Sequence, residues 1–420
     1  MTTTKLQDYA DKIQEAAKAL DTFQHANNDT SDGRELPVNA PHAVIEAREA
    51  LIDAATRLLQ DVSEPTQFLP NLAVQGQQIS GLRWLCRFNV ISLVPLDGSI
   101  SYADLAAAAK VPLKQLKSIV RMLMCANFFA ETASQNVQHT KLSAQFARSE
   151  PLQTWAIFLA EDSIIMGLKM YEATSKWGAT TSKTETSFNL ALGTDEPFFE
   201  WLSTTPEATK KFSSYMKAVT ATYGTSLEHL VDGYDWASRL RDGATVVDVG
   251  GSLGHASIAL ARKHKGLKFI VQDLPRVIQN VDATSIDEDA GVRDRITFAE
   301  HDFFEPQPVE EADVYLLRQI LHDWPDADAT KILQNISTVM RPDARIMIMD
   351  SALPLPGTIG RVHEAQLRVR DMTMMQAFNA SERELEDWKK LLKDADERLE
   401  MESVEIPTGS NLAILVARLK

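Results

Sequence analysis

From residue 244 onward the chain alternates between short β-rich runs and helical patterns, and this alternation restricts the fold more than any other feature of the sequence. TVVDVG, LKFIVQDL, TFAEHDF, ADVYLLRQI and ARIMIMD read as strands, HASIALARKH and residues 327–340 as helices between them, and LEMESVEI and NLAILVARL as a closing pair. Strands joined through helices return parallel, so residues 241–420 are expected to form an α/β domain on a doubly wound parallel sheet. Such a sheet places its ligand outside the carboxyl ends of its strands, where the strand order reverses. Residues at those ends are therefore the first candidates for function.

The first run ends in Val246-Val247-Asp248-Val249-Gly250-Gly251-Ser252-Leu253-Gly254-His255. Glycines let the backbone turn sharply and approach a ligand, with the next helix aimed at it by its N-terminus. Neither common phosphate grip fits. A G-x-G-x-x-G ending at Gly254 would need glycine at 249, where valine stands, and the turn holds no G-x-x-x-x-G-K-[ST]. What remains is an acid at the strand end, Asp248, the turn glycines Gly250 and Gly254, and a second acid, Asp273, closing LKFIVQD. A carboxylate in that place can accept both hydroxyls of a ribose, which calls for an adenosine ligand without a phosphate. S-adenosylmethionine meets that description. Asp302 closes the third strand in HDFF, where it can read an adenine amino group while Phe303 packs on the ring. Each acid alone is equally well explained as a solvated loop residue or helix cap; three at successive strand ends are less easily explained that way.

The preceding residues read differently. Residues 1–78 form a helical extension, with Leu6, Tyr9, Ile13, Ala17 and Leu20 at helical spacing and a polar loop at 25–37 before a second helix. Residues 79–150 open on an apolar helix, Ile79 to Leu96, expected to be buried or covered by another subunit. Ser101 then caps a short helix, a turn at Lys110-Val111-Pro112 leads into PLKQLKSIVRMLMCANFF, and two β runs follow at 128–131 and 136–143. That is a helix-turn-helix with a wing. Leu113, Leu116, Ile119, Val120 and Leu123 form the second helix's apolar face, and Lys110, Lys114, Lys117 and Arg121 its charged one. DNA binding is the functional reading of such a unit. It is disfavoured by the whole-chain balance of 43 basic against 58 acidic residues, a formal charge of −15, which repels nucleic acid and anionic membranes. Residues 151–240 read as pocket-forming helices rich in Met and aromatic residues, Met166 and Met216 among them.

Taken together, DVGGSLGHAS, VQDLP, HDFF, LRQILHDWPD and IMDSALP, behind a winged-helix segment, resemble the S-adenosylmethionine-dependent O-methyltransferases of the caffeate and flavonoid type and their fungal relatives acting on polyketides. The resemblance covers roughly residues 80–420. It implies the Rossmann-like class I methyltransferase fold with an N-terminal, mainly helical winged-helix dimerisation domain, hence a homodimer. It also implies that Gly250, Asp273, Leu274, Asp302 and Phe303 hold the cofactor. Arg318 stands where the family has a lysine that contacts it, which keeps the charge but changes its geometry.

Methyl transfer to a hydroxyl needs a base to remove the proton, and imidazole suits a phenol at neutral pH. His322, in Leu321-His322-Asp323-Trp324-Pro325 after the fourth strand, is the candidate, although capping or burial beside Trp324 would also explain it. The resemblance implies His322 as general base flanked by two acids, Asp350, one methylene shorter than the family's glutamate, and Glu382, with Glu384 close enough to compete. Substrate contacts are expected from Met166 and Met216 and from Asp371, Met374, Met375 and Phe378 on the helix RVRDMTMMQAFN. No histidine pair has metal-ligand spacing, so no metal is expected.

The expected function is transfer of a methyl group from S-adenosylmethionine to a hydroxyl of an aromatic or polyketide-like molecule. The alternatives are a relative that keeps the cofactor but runs a pericyclic, decarboxylating or hydroxylating reaction, and a winged-helix regulator. Two cysteines, no signal-peptide pattern and no apolar run of membrane length lead to the expectation of a soluble cytoplasmic protein.

Overall fold

The computed structural model describes residues 4–26, 40–279, 281 and 290–420; the polar loop expected at 25–37 lies, from residue 27 on, outside them. The chain divides into two compact units, one of residues Met1–Leu58, Thr180–Lys183 and Thr222–Lys420, the other of Leu59–Ala179 and Thr184–Ala221. Two helices come first, α1 (Lys5–Ala26) and α2 (His42–Val62). On α1 only Tyr9 and Ala16 are buried and Leu6 is exposed, so less of the expected apolar stripe is covered than its spacing implies.

The first helix wholly within the second unit's long span is α3 (Phe68–Arg87), a single helix that runs through residue 79, after the end of α2 and a short turn at Pro65–Gln67. Its C-terminal half buries Gly81 and Leu85, and Arg83 and Arg87 both bind Glu161. Its first turns leave Phe68, Leu69 and Leu72 exposed, so the covered part of this apolar region is its second half. Helices α4 (Tyr102–Ala109) and α5 (Leu113–Met124) follow. Ser101 caps α4 by accepting the Asp104 N–H at 3.1 Å, and Lys110 ends it in the left-handed region at φ 55°. Leu116, Val120 and Leu123 turn inward against Leu85, Ile91 and Leu105, while Leu113 stays exposed.

An antiparallel three-stranded sheet completes the winged helix, ordered Ile100–Ser101, Asn136–His139, Phe129–Glu131. The second β run stops at His139 because Thr140 and Ser143 cap each other's backbone and start the helix Lys141–Arg148. Arg121 binds Glu131 through two N–H groups at 3.0 and 2.9 Å, and Lys117 and Arg121 stand over the Tyr102 ring. Part of the basic face is thereby committed within the fold. Farther on, α6 (Pro206–Thr220) stacks Tyr215 on Phe158, with ring centroids 4.1 Å apart.

The first unit is built on a seven-stranded sheet of β1 (Thr245–Val249), β2 (Lys268–Asp273), β3 (Ile296–Glu300), β4 (Val314–Arg318), β5 (Arg345–Asp350), β6 (Leu399–Glu405) and β7 (Ala413–Leu419). Its order is β6-β7-β5-β4-β1-β2-β3. The first five strands are parallel as read. Of the closing pair, β6 runs with them and β7 against them, because the short link 406–412 holds no crossover helix and β7 must turn back between β5 and β6.

Alternate residues along each strand face opposite layers. Val247, Tyr315 and Ile346 pack under α8 (Asp326–Ser337) and α10 (Leu385–Ala395), and Val246, Val314 and Met347 under α7 (His255–Lys263). Between α8 and α10 runs α9 (Arg361–Phe378), and a two-residue parallel ladder pairs Ala352 with Arg383 and Leu353 with Glu384. The order reverses at the neighbours β1 and β4. The glycine turn follows one and His322 the other.

Candidate active site

Gly250 and Gly254 hold φ of 72° and 74°, a region that disfavours side chains, and the turn lies under close cover. A Cβ on Gly250 would sit 2.7 Å from Ile320 Cδ1, and one on Gly251 2.6 Å from Asp248 Cγ. Asp248 lies beneath this turn, 2% exposed, its Oδ2 accepting the Ser257 hydroxyl at 2.7 Å, and burial pushes its carboxyl up to about 6. Its visible work is to shape the turn.

Asp273 ties the end of β2 to the same turn. Its Oδ2 accepts the Ser252 N–H at 2.9 Å and its Oδ1 the Leu274 N–H at 2.8 Å, leaving further lone pairs on each oxygen. Asp302 is exposed just beyond β3 and accepts the Phe304 N–H at 3.0 Å. The Phe303 ring comes within 3.5 Å of where a Gly250 Cβ would be and meets Trp324 edge-on. The sheet thus gathers Gly250, Gly254, Asp273, Leu274 and Phe303 around one crevice edge.

After β4 the chain passes Gln319 at φ 54° into a short turn, Leu321–Asp323, that buries His322 to 7% exposure. His322 Nδ1 lies 2.9 Å from Glu382 Oε1, and Nε2 lies 3.5 Å from Asp323 Oδ1. Glu382, also buried, is held from α9 on two sides: its Oε1 accepts Arg370 Nε at 3.3 Å and its N–H donates to Asp371 Oδ1 at 3.1 Å. Asp350, at the end of β5, accepts the Leu321 N–H at 3.2 Å and so fixes the turn rather than the ring. Glu384 instead caps the first turn of α10, which decides between the two glutamates: Glu382 faces the imidazole. Beside it, buried Arg383 donates to the carbonyls of Leu321 and Trp324 at 2.8 Å and to Asp326. This guanidinium clamps the turn that carries His322.

The charges explain one another. Burial opposes a charged His322, but Asp323, Glu382 and Asp350 around it prevail and push the imidazole up to about 9. Burial would raise Glu382, yet His322 and Arg370 hold it well below the usual carboxylate range. Burial pushes Asp350 up to about 7 and Asp323 up to about 6. Burial also brings the Arg318 guanidinium down to about 10 against the opposing pull of Asp248 and Asp350. Arg318 Nη2 donates to the Thr225 carbonyl at 2.7 Å. Arg318 Nε, Asp350 Oδ1 and Glu382 Oε2 are buried without a partner, and buried polar atoms rarely stay so.

Of the residues expected to touch substrate, Met374 and Phe378 are half-buried and Met375 exposed on α9, while Asp371 is engaged with the Glu382 backbone. Met166 and Met216 belong to the other unit. There Met166 is buried at a small cavity with Phe158, Asp162, Phe188 and Trp201, and Met216 is half-buried on α6. Among the described residues no group of three or more His, Cys, Asp or Glu is placed to hold a metal ion. Sequence reasoning passed over Asp323, Arg370 and Arg383. All three adjoin residues it had singled out, but nothing in the spacing showed which groups their side chains would meet.

A family model described as an O-methyltransferase domain matches residues 176–396. O-methyltransferase VdtC of Byssochlamys spectabilis is 49% identical over 425 residues, covering 98% of this chain and 97% of that protein. The chain belongs to the O-methyltransferase family. Among solved structures, OxaC in complex with SAH and oxaline superposes on this O-methyltransferase with a TM-score of 0.76 at 25% identity over 99% of both chains. LepI in complex with SAM reaches 0.77 at 23% identity, covering 97% of this chain and all of that one, a likeness of fold.

Proposed function

We propose that this O-methyltransferase moves the methyl group of S-adenosylmethionine to a phenolic or enolic hydroxyl of an aromatic, polyketide-like small molecule of secondary metabolism, with His322 as the general base. The observation that carries the base assignment is the 2.9 Å contact between His322 Nδ1 and a buried Glu382. It engages Nδ1 and so assigns proton transfer to Nε2, which lies 3.5 Å from Asp323 Oδ1. The reading in which the cofactor is kept and methyl transfer abandoned is not favoured, since the extensive sequence identity is to a named O-methyltransferase and the likeness to LepI is one of fold.

The residues fit the cofactor. The glycine turn bears no side chain at the left-handed positions 250 and 254, Asp273 stands at the strand end with further lone pairs for a ribose diol, and Phe303 borders the turn for the adenine. Arg318, Asp350 and Glu382 each present a buried polar atom without a protein partner. When bound, S-adenosylmethionine supplies a methyl group on a sulfonium, whose positive charge also lowers the proton affinity of a nearby imidazole. His322 takes the hydroxyl proton at Nε2, and Glu382 fixes the tautomer and stabilises the imidazolium that results. Asp350 and Arg383 keep the turn in place, and Met374, Met375 and Phe378 offer adaptable apolar surface to a flat ring. Incubation with the donor and a panel of 2-naphthol, 1,8-dihydroxynaphthalene and 1,8-dihydroxyanthraquinone tests this reading by mass spectrometry. O-methylated product from the native enzyme and its loss in His322→Ala are expected. Product formed at near-native rate by that variant sinks the base.

A homodimer belongs to the same proposal, supported by Phe68, Leu69 and Leu72 exposed together on the first turns of α3. A stable monomer by light scattering would reject it. Among the described residues no helix is long and apolar enough to cross a membrane, and Cys86 and Cys125 are both free, which suits a reducing, cytoplasmic setting.

A further inference from the structure

Glu382 does not serve His322 alone. Its Oε1 is shared, at 2.9 Å from His322 Nδ1 and 3.3 Å from Arg370 Nε, while its other oxygen is buried without a partner. The adjacent residue on α9, Asp371, holds the backbone N–H of the same glutamate. One turn of α9 therefore grips Glu382 by side chain and by main chain, and a guanidinium competes with the imidazole for one carboxylate oxygen. We propose that Arg370 is a positioning residue that divides Glu382 with His322 and so governs how firmly the imidazole keeps its proton.

The proposal rests on the reading of His322 as base and adds what adjusts it. The charged groups around the imidazole are Asp323 on its own turn, Asp350 from β5 and Glu382 after α9, with Asp371 on the Glu382 backbone and Arg370 on α9, Arg318 on β4 and Arg383 on the Leu321 carbonyl as the cations of the cluster. The acids all push the imidazole toward its charged form. Arg370 takes part of Glu382 Oε1 from the ring, and it favours the ionised form of Glu382, Asp323 and Asp350 alike. A base held too tightly by its carboxylate stays protonated and cannot accept a proton. Dividing the carboxylate with a guanidinium, which remains charged at all relevant pH, loosens that hold without surrendering the ring's orientation.

The test is a histidine-labelled NMR titration of the full-length enzyme without donor or substrate, with the His322 signal assigned by its absence in His322→Gln. In Arg370→Gln the midpoint of His322 is expected to rise by about 0.5–1 pH unit, as the Glu382 oxygen the two residues share passes wholly to the imidazole. In Arg370→Lys, which retains the charge, it should stay within about 0.3 unit of native. Should Arg370→Gln fail to fold, Arg370→Met, which keeps the aliphatic stem, takes its place. Repeating the substitution in a Glu382→Gln background should shrink the rise to less than half, because the shared carboxylate is gone. A midpoint that does not move, or that falls, in the charge-removing variant overturns the proposal, as does an undiminished rise in the Glu382→Gln background. Methyl transfer surviving in His322→Gln would instead remove the base and leave the titration result standing.

Discussion

The two ends of the crevice are built in opposite ways. At the glycine turn, function is a matter of backbone: Gly250 and Gly254 turn in the left-handed region, Asp273 binds main-chain N–H groups, and the participants lie near strand ends in sequence order. Around His322, function is a matter of side chains converging from distant segments, with Asp350, Glu382 and Arg383 reaching a turn at 321–323 and Arg370 reaching Glu382. A backbone cradle is specified by local residue types that tolerate one conformation. A charge cluster is specified by packing, and each member changes the proton affinity of the others.

If that contrast is right, the two ends should fail separately. The largest effect is expected at the base: His322→Ala should lower kcat by roughly 10²–10⁴-fold while donor affinity, read by calorimetry, stays within about threefold. Gly250→Val should do the reverse. Its φ of 72° and the contact with Ile320 leave no room for a branched side chain, so donor affinity should drop by about 10–100-fold. A Gly250→Val enzyme that binds the donor normally would break the distinction.

Arg383→Met tests whether the cluster is also structural. It strands the carbonyls of Leu321 and Trp324 in a buried setting and should cost about 2–4 kcal/mol in denaturant unfolding. A comparable effect comes from pH. His322, raised to about 9 in the folded protein, binds a proton there that the unfolded chain releases near its ordinary value of about 6.5. Its stabilising contribution is complete below about pH 6.5 and is lost as pH rises toward 9, at a slope on the order of 1 kcal/mol per unit. Denaturant titrations across that range should show the decline in donor-free enzyme and a flatter curve in His322→Gln. Smallest of all, exchanging Arg121 and Glu131 for alanine in the winged helix should leave donor affinity and methyl transfer unchanged, since that exposed ion pair lies outside both ends.

The same contrast explains what could be read before any coordinates. The strand-helix alternation, the turn at 250–254 and the Ser101 cap are local, and each reappears in the fold as a local feature. The antiparallel closing hairpin was missed because the strand pattern of LEMESVEI and NLAILVARL says nothing about direction; the short link between them does. At the site, Glu382 and Glu384 could not be separated by spacing, being two residues apart in an extended segment, and only the capping of α10 by Glu384 separates them. Asp371 was expected to face a substrate, yet its carboxylate holds a backbone N–H, a partner that no side-chain pattern announces. Asp323 and Arg370 were passed over because a charge beside a histidine, or on an amphipathic helix, is ordinarily a solvated one.

The parallel ladder that sets Arg383 against Ala352 has an evolutionary corollary. Glu382 and Arg383 are successive residues with separate duties, one on the ring and one on the turn's carbonyls, so gaining or losing a single residue just before them would displace both at a stroke. Variation in length among descendants of this enzyme should therefore collect in the stretch between Leu353 and Arg361 and spare the junction after α9, where drift has no neutral step to take.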